Sequence, residues 1–108
     1  ISPAREDEPD LSKVVIEIPR FEALVQGYLS SAGEFLYPAE RAHLVHAGKV
    51  ITLIIGTRFL TDYLAGDTYF KVHRPGHNLD RCRTQFRLVS DIEAKWQAMG
   101  AIIEAEAL

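Results

Sequence analysis

The order of apolar and polar residues divides the chain into one short β-branched run and three stretches with helical spacing. Residues 14–18 (VVIEI) suit a strand or extended segment, and Pro19 ends it. Pro19 also suits the first turn of a helix, in which Phe21, Leu24, Val25, Tyr28, Leu29 and Ala32 recur at steps of three and four. Gly33 supplies the stop. Pro38 opens a second helix, with Glu40 where a carboxylate complements the helix dipole. Its apolar positions, among them Leu44, Val50, Ile51, Ile54, Phe59 and Tyr63, cover more than one face, which predicts the central and most buried element. Gly56 within it costs about 1 kcal/mol of helix propensity relative to Ala, a cost tolerated where another backbone or a ligand comes close.

Gly66 and Asp67 mark the exit from that helix, and Pro75 with Gly76 a second turn, leaving 68–74 as an exposed loop or short extended segment. Asn78 stands where an N-cap is needed. Beyond it Leu79, Cys82, Phe86, Val89, Ile92, Trp96, Met99 and Ile103 form a stripe fit to pack along the second helix. The pattern predicts an all-α fold: a bundle of three main helices, preceded by a short extended segment. Residues 1–13, acidic and with two prolines, read as a flexible arm, and 14–108 as the helical unit.

Composition changes this picture little. Apolar and charged fractions of 47% and 25% belong to an ordinary globular domain, and 108 residues suffice for one core but not for two lobes around a cleft. A net charge of −3 gives no general attraction for nucleic acid. The apolar run 50–57, bracketed by Lys49 and Arg58, reads as too short for a membrane span. One cysteine cannot form an internal disulfide, which fits a reducing cytoplasm; its spacing marks Cys82 as a small buried hydrophobe. The chain starts without Met and without a targeting segment, so it reads as a piece of a longer protein.

Candidate chemistry gathers between residues 58 and 86. Arg58 follows ITLIIGT, and a guanidinium there must find a partner, such as Asp62 one turn on, or reach an opening. Arg74, Arg81, Arg83 and Arg87 face few acids nearby, a cluster able to hold an anion or to form a solvated face paired with acids elsewhere; Arg81 and Arg83, two apart, point to different sides. The pairs His43 with His46 and His73 with His77 lack the convergent third and fourth ligands of a metal site. No glycine-rich phosphate loop, G-x-S-x-G elbow or C/S-x-P-x-R sulfatase pattern occurs, so no catalytic group is assigned within the chain.

With RFLTDYLAGDTYF at 58–70 and HRPGHNLDRCRTQF at 73–86, the sequence resembles the C-terminal end of the N-acetylhexosamine 1-kinase group, within the aminoglycoside-phosphotransferase-like superfamily. Some members of that group carry a mucin-desulfating label. The resemblance runs from DLSKV at 10–14 through GYLSSAG and PAE to the last helix; it departs at Tyr37, where Ser or Thr is expected, and at His43 and His46. It implies part of a kinase-like C-terminal lobe that floors a sugar pocket. The ATP site, Mg²⁺ and catalytic Asp are implied to lie in missing N-terminal lobes. It further implies that Arg58 reaches sugar hydroxyls and that Tyr69 lines the pocket, with Asp62, Asp67 and Arg74 as further wall positions. The implied protein is a cytoplasmic phosphotransferase for an N-acetylhexosamine sugar, without membrane or nucleic-acid partners, and its isolated C-terminal part is expected to be inactive and able to dimerise through exposed apolar surface. Two readings stand beside it: a free-standing helical module that binds an acidic partner, and a kinase for another small hydroxyl acceptor.

Overall fold

The computed structural model describes residues 2–34 and 36–107. Among these the fold is all-α, as the periodicity requires, with five α-helices and no strand. A 3₁₀ turn at Leu11–Lys13 precedes α1 (Ile18–Ala32), α2 (Pro38–Ala42), α3 (Leu44–Leu64), α4 (His77–Ala94) and α5 (Trp96–Ala107). The main packing unit is the α3–α4 pair, while α1 and α2 lie against α5. Ile16, Phe21, Val25, Val45, Ile92, Met99 and Ile103 form the core where these units meet.

Two helices expected to be continuous are broken. His43 leaves helical geometry (φ −102°, ψ 8°) between α2 and α3, and its Nδ1 lies 2.9 Å from the Ala39 carbonyl oxygen. Lys95 (φ −106°, ψ 14°) separates α4 from α5. There the break has a tertiary cause: Lys95 Nζ donates to the Ile16 carbonyl at 2.6 Å and to Asp91 Oδ2 at 2.8 Å. The Ile16 amide in turn donates to Asp91 Oδ2. The extended segment is therefore present without a partner strand, because one carboxylate and one ammonium from the α4–α5 corner satisfy its backbone. Its Val14 and Ile16 side chains are buried.

The expectation that α3 is the most buried element does not hold. Ile51 and Ile54 are 58% and 52% exposed, and Val50, Leu53 and Ile55 are also open to solvent. A helix apolar on all sides buries only the face that meets a partner, and α4 covers one face, along Gly56, Phe59 and Asp62. The apolar run also belongs to a longer element than its flanking charges suggested: α3 has 21 residues and by length and composition alone could cross a membrane, with a mean hydropathy of 1.3. Two of its charged residues are tied into the fold, Lys49 to Glu93 at 2.9 Å and Asp62 to the loop that follows.

The acidic arm makes contacts of its own. Residues 6–8 lie against α4: Asp7 Oδ2 is 2.8 Å from His77 Nε2, Glu6 Oε1 is 3.3 Å from Arg81 Nε, and the Thr84 hydroxyl donates to the Glu8 carbonyl at 3.1 Å. Opposite charge on α4, invisible to a local reading of the arm, gives it a seat.

Candidate functional site

The 58–86 region is organised by Asp62. Past the end of α3, Gly66 (φ 97°) and Asp67 (φ 60°) adopt left-handed backbone, which turns the chain back on the helix it has left. The next three amides then converge on one carboxylate. Asp62 Oδ1 accepts from Thr68 N at 3.0 Å and Tyr69 N at 2.7 Å, and Oδ2 accepts from Phe70 N at 3.0 Å. Asn78 Nδ2 adds a bond to Asp62 Oδ2 at 2.7 Å and another to Asp67 Oδ1 at 3.0 Å. Burial alone would raise the Asp62 pKa, but hydrogen bonds from the Phe70 and Tyr69 amides, the Asn78 side chain and the Thr68 amide outweigh it and hold the carboxyl below its ordinary range.

Asn78 is thus not the helix cap its position suggested. Gly76, at φ 73°, precedes α4, and Asn78 lies inside the first turn, fully buried, as a strut between the loop and the helix. Arg81 extends the network, donating from Nη1 to Asn78 Oδ1 and to the Lys71 carbonyl, both at 3.0 Å. Its guanidinium carbon lies 5.5 Å from the centre of the Phe59 ring. Arg81 Nε makes no hydrogen bond; Glu6 neutralises it by proximity rather than by alignment.

This network fixes the aromatic pair that faces Arg58. Phe70 packs on Phe59 with ring centres 4.8 Å apart, and Tyr69 meets Phe70 edge to face at 4.9 Å. The Arg58 guanidinium carbon lies 5.6 Å from both the Tyr69 and the Phe70 ring centres. Arg58 is exposed and, among the described residues, makes no ion pair, so Asp62 is not its partner. It sits on aromatic faces with its N–H edge left for other acceptors. Arg58, Thr61, Asp62, Thr68, Tyr69 and Phe70 surround a shallow notch of about 380 Å³.

Of the positions singled out in the sequence, the fold brings Arg58, Asp62 and Tyr69 to this notch. Asp67 acts at one remove, through Asn78 and its own left-handed turn. Arg74 belongs elsewhere: Nη1 pairs with Asp80 Oδ2 at 2.5 Å and Nη2 lies 3.8 Å from Asp7 Oδ2. Phe70 was not singled out in the sequence, and Asn78 and Arg81 were read there only as a helix cap and as one of four clustered arginines. The Gly66-Asp67 turn was the available signal, since a chain reversal just after a helical Asp aims amides at its carboxylate.

Among the residues lining the notch, Asp62 is the one carboxylate. Asp62 spends both oxygens on four donors, Asp7 is held by His77 and Arg74, and Asp91 by Ile16 and Lys95. No cluster of three metal-ligating side chains occurs among the described residues. Cys82, buried among α4 neighbours, has its thiol pKa pushed up by that burial, which keeps it protonated and unreactive. No protein-family model matches the chain.

Proposed function

We propose that this chain is the sugar-facing helical subdomain of a cytoplasmic, ATP-dependent kinase that phosphorylates an N-acetylhexosamine, N-acetylglucosamine or N-acetylgalactosamine, at its anomeric hydroxyl. The observation that carries the reading is the unpaired Arg58 guanidinium over the Tyr69 and Phe70 rings at the edge of a notch. Sugars are recognised by this combination: aromatic faces take the C–H side of a pyranose, and a guanidinium donates to its hydroxyl and carbonyl oxygens. The Asp62 network holds those groups rigidly on a helix end, as a binding wall requires. ATP, Mg²⁺ and the catalytic base are assigned to upstream lobes, in keeping with the four donors that already occupy the Asp62 carboxylate at the notch. The same lobes supply a cover for the exposed Ile51 and Ile54 face of α3.

The test is kinetic. In the full-length enzyme, Arg58→Ala lowers kcat/KM for the sugar roughly 10- to 100-fold, the loss of a hydrogen bond to a charged donor, with the KM for ATP unchanged. Unaltered sugar kinetics refutes the assignment. A panel of choline, homoserine and aminoglycoside acceptors separates this substrate from others on the same architecture. An acidic-partner module is less well supported, because Arg74 and Arg81, half of its proposed basic face, are already neutralised by Asp80, Asp7 and Glu6.

A further inference from the structure

A second recognition feature lies away from the notch. Helix α1 packs on α5 and α3 packs on α4, and α1 and α3 are not among the packed pairs. The space between them is a cavity of about 530 Å³, within the roughly 300–1,000 Å³ typical of small-molecule sites. Its inner wall is core: Phe21, Val25, Val45, Ile92, Met99 and Ile103, all buried side chains. It reaches the surface beside Leu24 and Tyr28, which are 57% and 48% exposed. Left empty, such a space forfeits dispersion contacts along its whole lining, and water within it finds few polar partners.

The lining is mostly apolar; its polar residues are Ser2, Arg5, Glu6, Tyr28, Thr52 and Gln85, and of these only Arg5 and Glu6 are charged. Glu6 faces Arg81 at 3.3 Å. Arg5, also on the lining, makes no side-chain hydrogen bond or ion pair among the described residues. The arm that carries both is fastened to α4 by the Asp7–His77 contact and by the Thr84 hydroxyl on the Glu8 carbonyl. An apolar interior with one uncompensated cation at its rim matches an amphiphile with an apolar tail and an anionic head. We propose that the cavity binds one single-chain aliphatic carboxylate, its chain between α1 and α3 and its head at Arg5. The proposal is independent of the sugar notch, which lies on other residues.

Gly48 provides the decisive variant. It lines the cavity from α3, and a Cβ built there meets nothing within 4 Å. A Cβ enters there without collision, and Gly48→Leu is expected to extend into the space while improving helix propensity. The purified full-length protein is titrated calorimetrically with decanoate and with neutral decanamide, below their aggregation concentrations. Wild type is expected to bind decanoate one to one, with Tm rising with ligand concentration. Gly48→Leu is expected to bind at least about tenfold more weakly at an equal or higher unliganded Tm, and Arg5→Ala to weaken decanoate about three- to fivefold while leaving decanamide unchanged. The proposal is overturned if wild type shows no saturable binding, or if Gly48→Leu binds decanoate like wild type. It is equally overturned if decanamide binds as tightly as decanoate and Arg5→Ala changes neither.

Discussion

Replacing Gly56 by Ala sets two effects of opposite sign against each other. In an exposed helix interior the change stabilises by about 1 kcal/mol, because Ala loses less backbone freedom on folding. Gly56 is instead buried at the α3–α4 seam, where a new Cβ would stand 2.7 Å from Phe86 Cε1, 2.9 Å from Phe86 Cδ1 and 3.0 Å from Gln85 Cβ. Ordinary contact begins near 3.4 Å, so both neighbours must yield. The half-buried Phe86 ring can swing aside, but Gln85 Cβ is fixed to the α4 backbone, so the helices themselves must part. Overpacking of this kind costs about 1–3 kcal/mol, which exceeds the propensity gain and leaves Gly56→Ala destabilised by about 1 kcal/mol. In a domain of this size that lowers Tm by about 5 °C. Urea unfolding of Gly56→Ala, Phe86→Ala and the double variant closes the cycle. Removing the ring relieves part of the collision, giving a coupling of about 1 kcal/mol between the two sites. A Gly56→Ala protein more stable than wild type, with no coupling to Phe86, refutes the close α3–α4 approach.

Asp62→Asn keeps one acceptor oxygen but turns an NH₂ toward donors, so amide exchange at Tyr69 and Phe70 should speed up roughly tenfold or more while α1 and α5 amides keep their protection; uniform protection refutes the hub. Asp7, Asp62 and Asp91 all have folded pKa values below that of an ordinary aspartate. Groups depressed in the folded state contribute stability that is complete above the unfolded pKa and is lost as pH falls through the folded one. The urea midpoint is thus expected to hold from pH 7 to about pH 5 and to drop below about pH 4, and a midpoint that rises on acidification contradicts the three networks. Lys95→Ala leaves the Ile16 carbonyl without its donor and Asp91 without its cation, a loss of about 1–2 kcal/mol by denaturant titration; a neutral result means that this corner does not anchor the extended segment. Ile51→Lys combined with Ile54→Glu, on the exposed face of α3, should change stability by less than about 0.5 kcal/mol and reduce any self-association seen by sedimentation, whereas clear destabilisation would mean that the face is packed inside the chain.

The parts of the site that were legible in the sequence are those whose residue types are out of place locally. Arg58 stood out because a guanidinium follows an aliphatic run, and the Gly66-Asp67 exit because few residues accept left-handed backbone. Arg74 shows the limit of such reasoning: as one arginine among four it resembled the others, but its direction depends on Asp80 and on an arm nearly seventy positions upstream.

By itself the sequence determined the all-α class and the approximate helix starts at Pro19 and Pro38, because helical periodicity and the fixed φ of proline act over a few residues. It also determined that residues 58–70 would gather polar and aromatic groups at a helix end. Only the tertiary structure decided where the long stripes break. His43 and Lys95 leave helical geometry at points that local propensity does not mark, and at Lys95 bonds to Ile16 and Asp91 accompany the break. Only the tertiary structure decided which face of α3 is covered, since an all-round apolar helix carries no internal preference. It alone made Asp62, in the sequence one alternative partner for Arg58 and a wall position, the acceptor that shapes the opposite wall, because a buried carboxylate goes to the donors that converge on it, and convergence is a property of the folded chain.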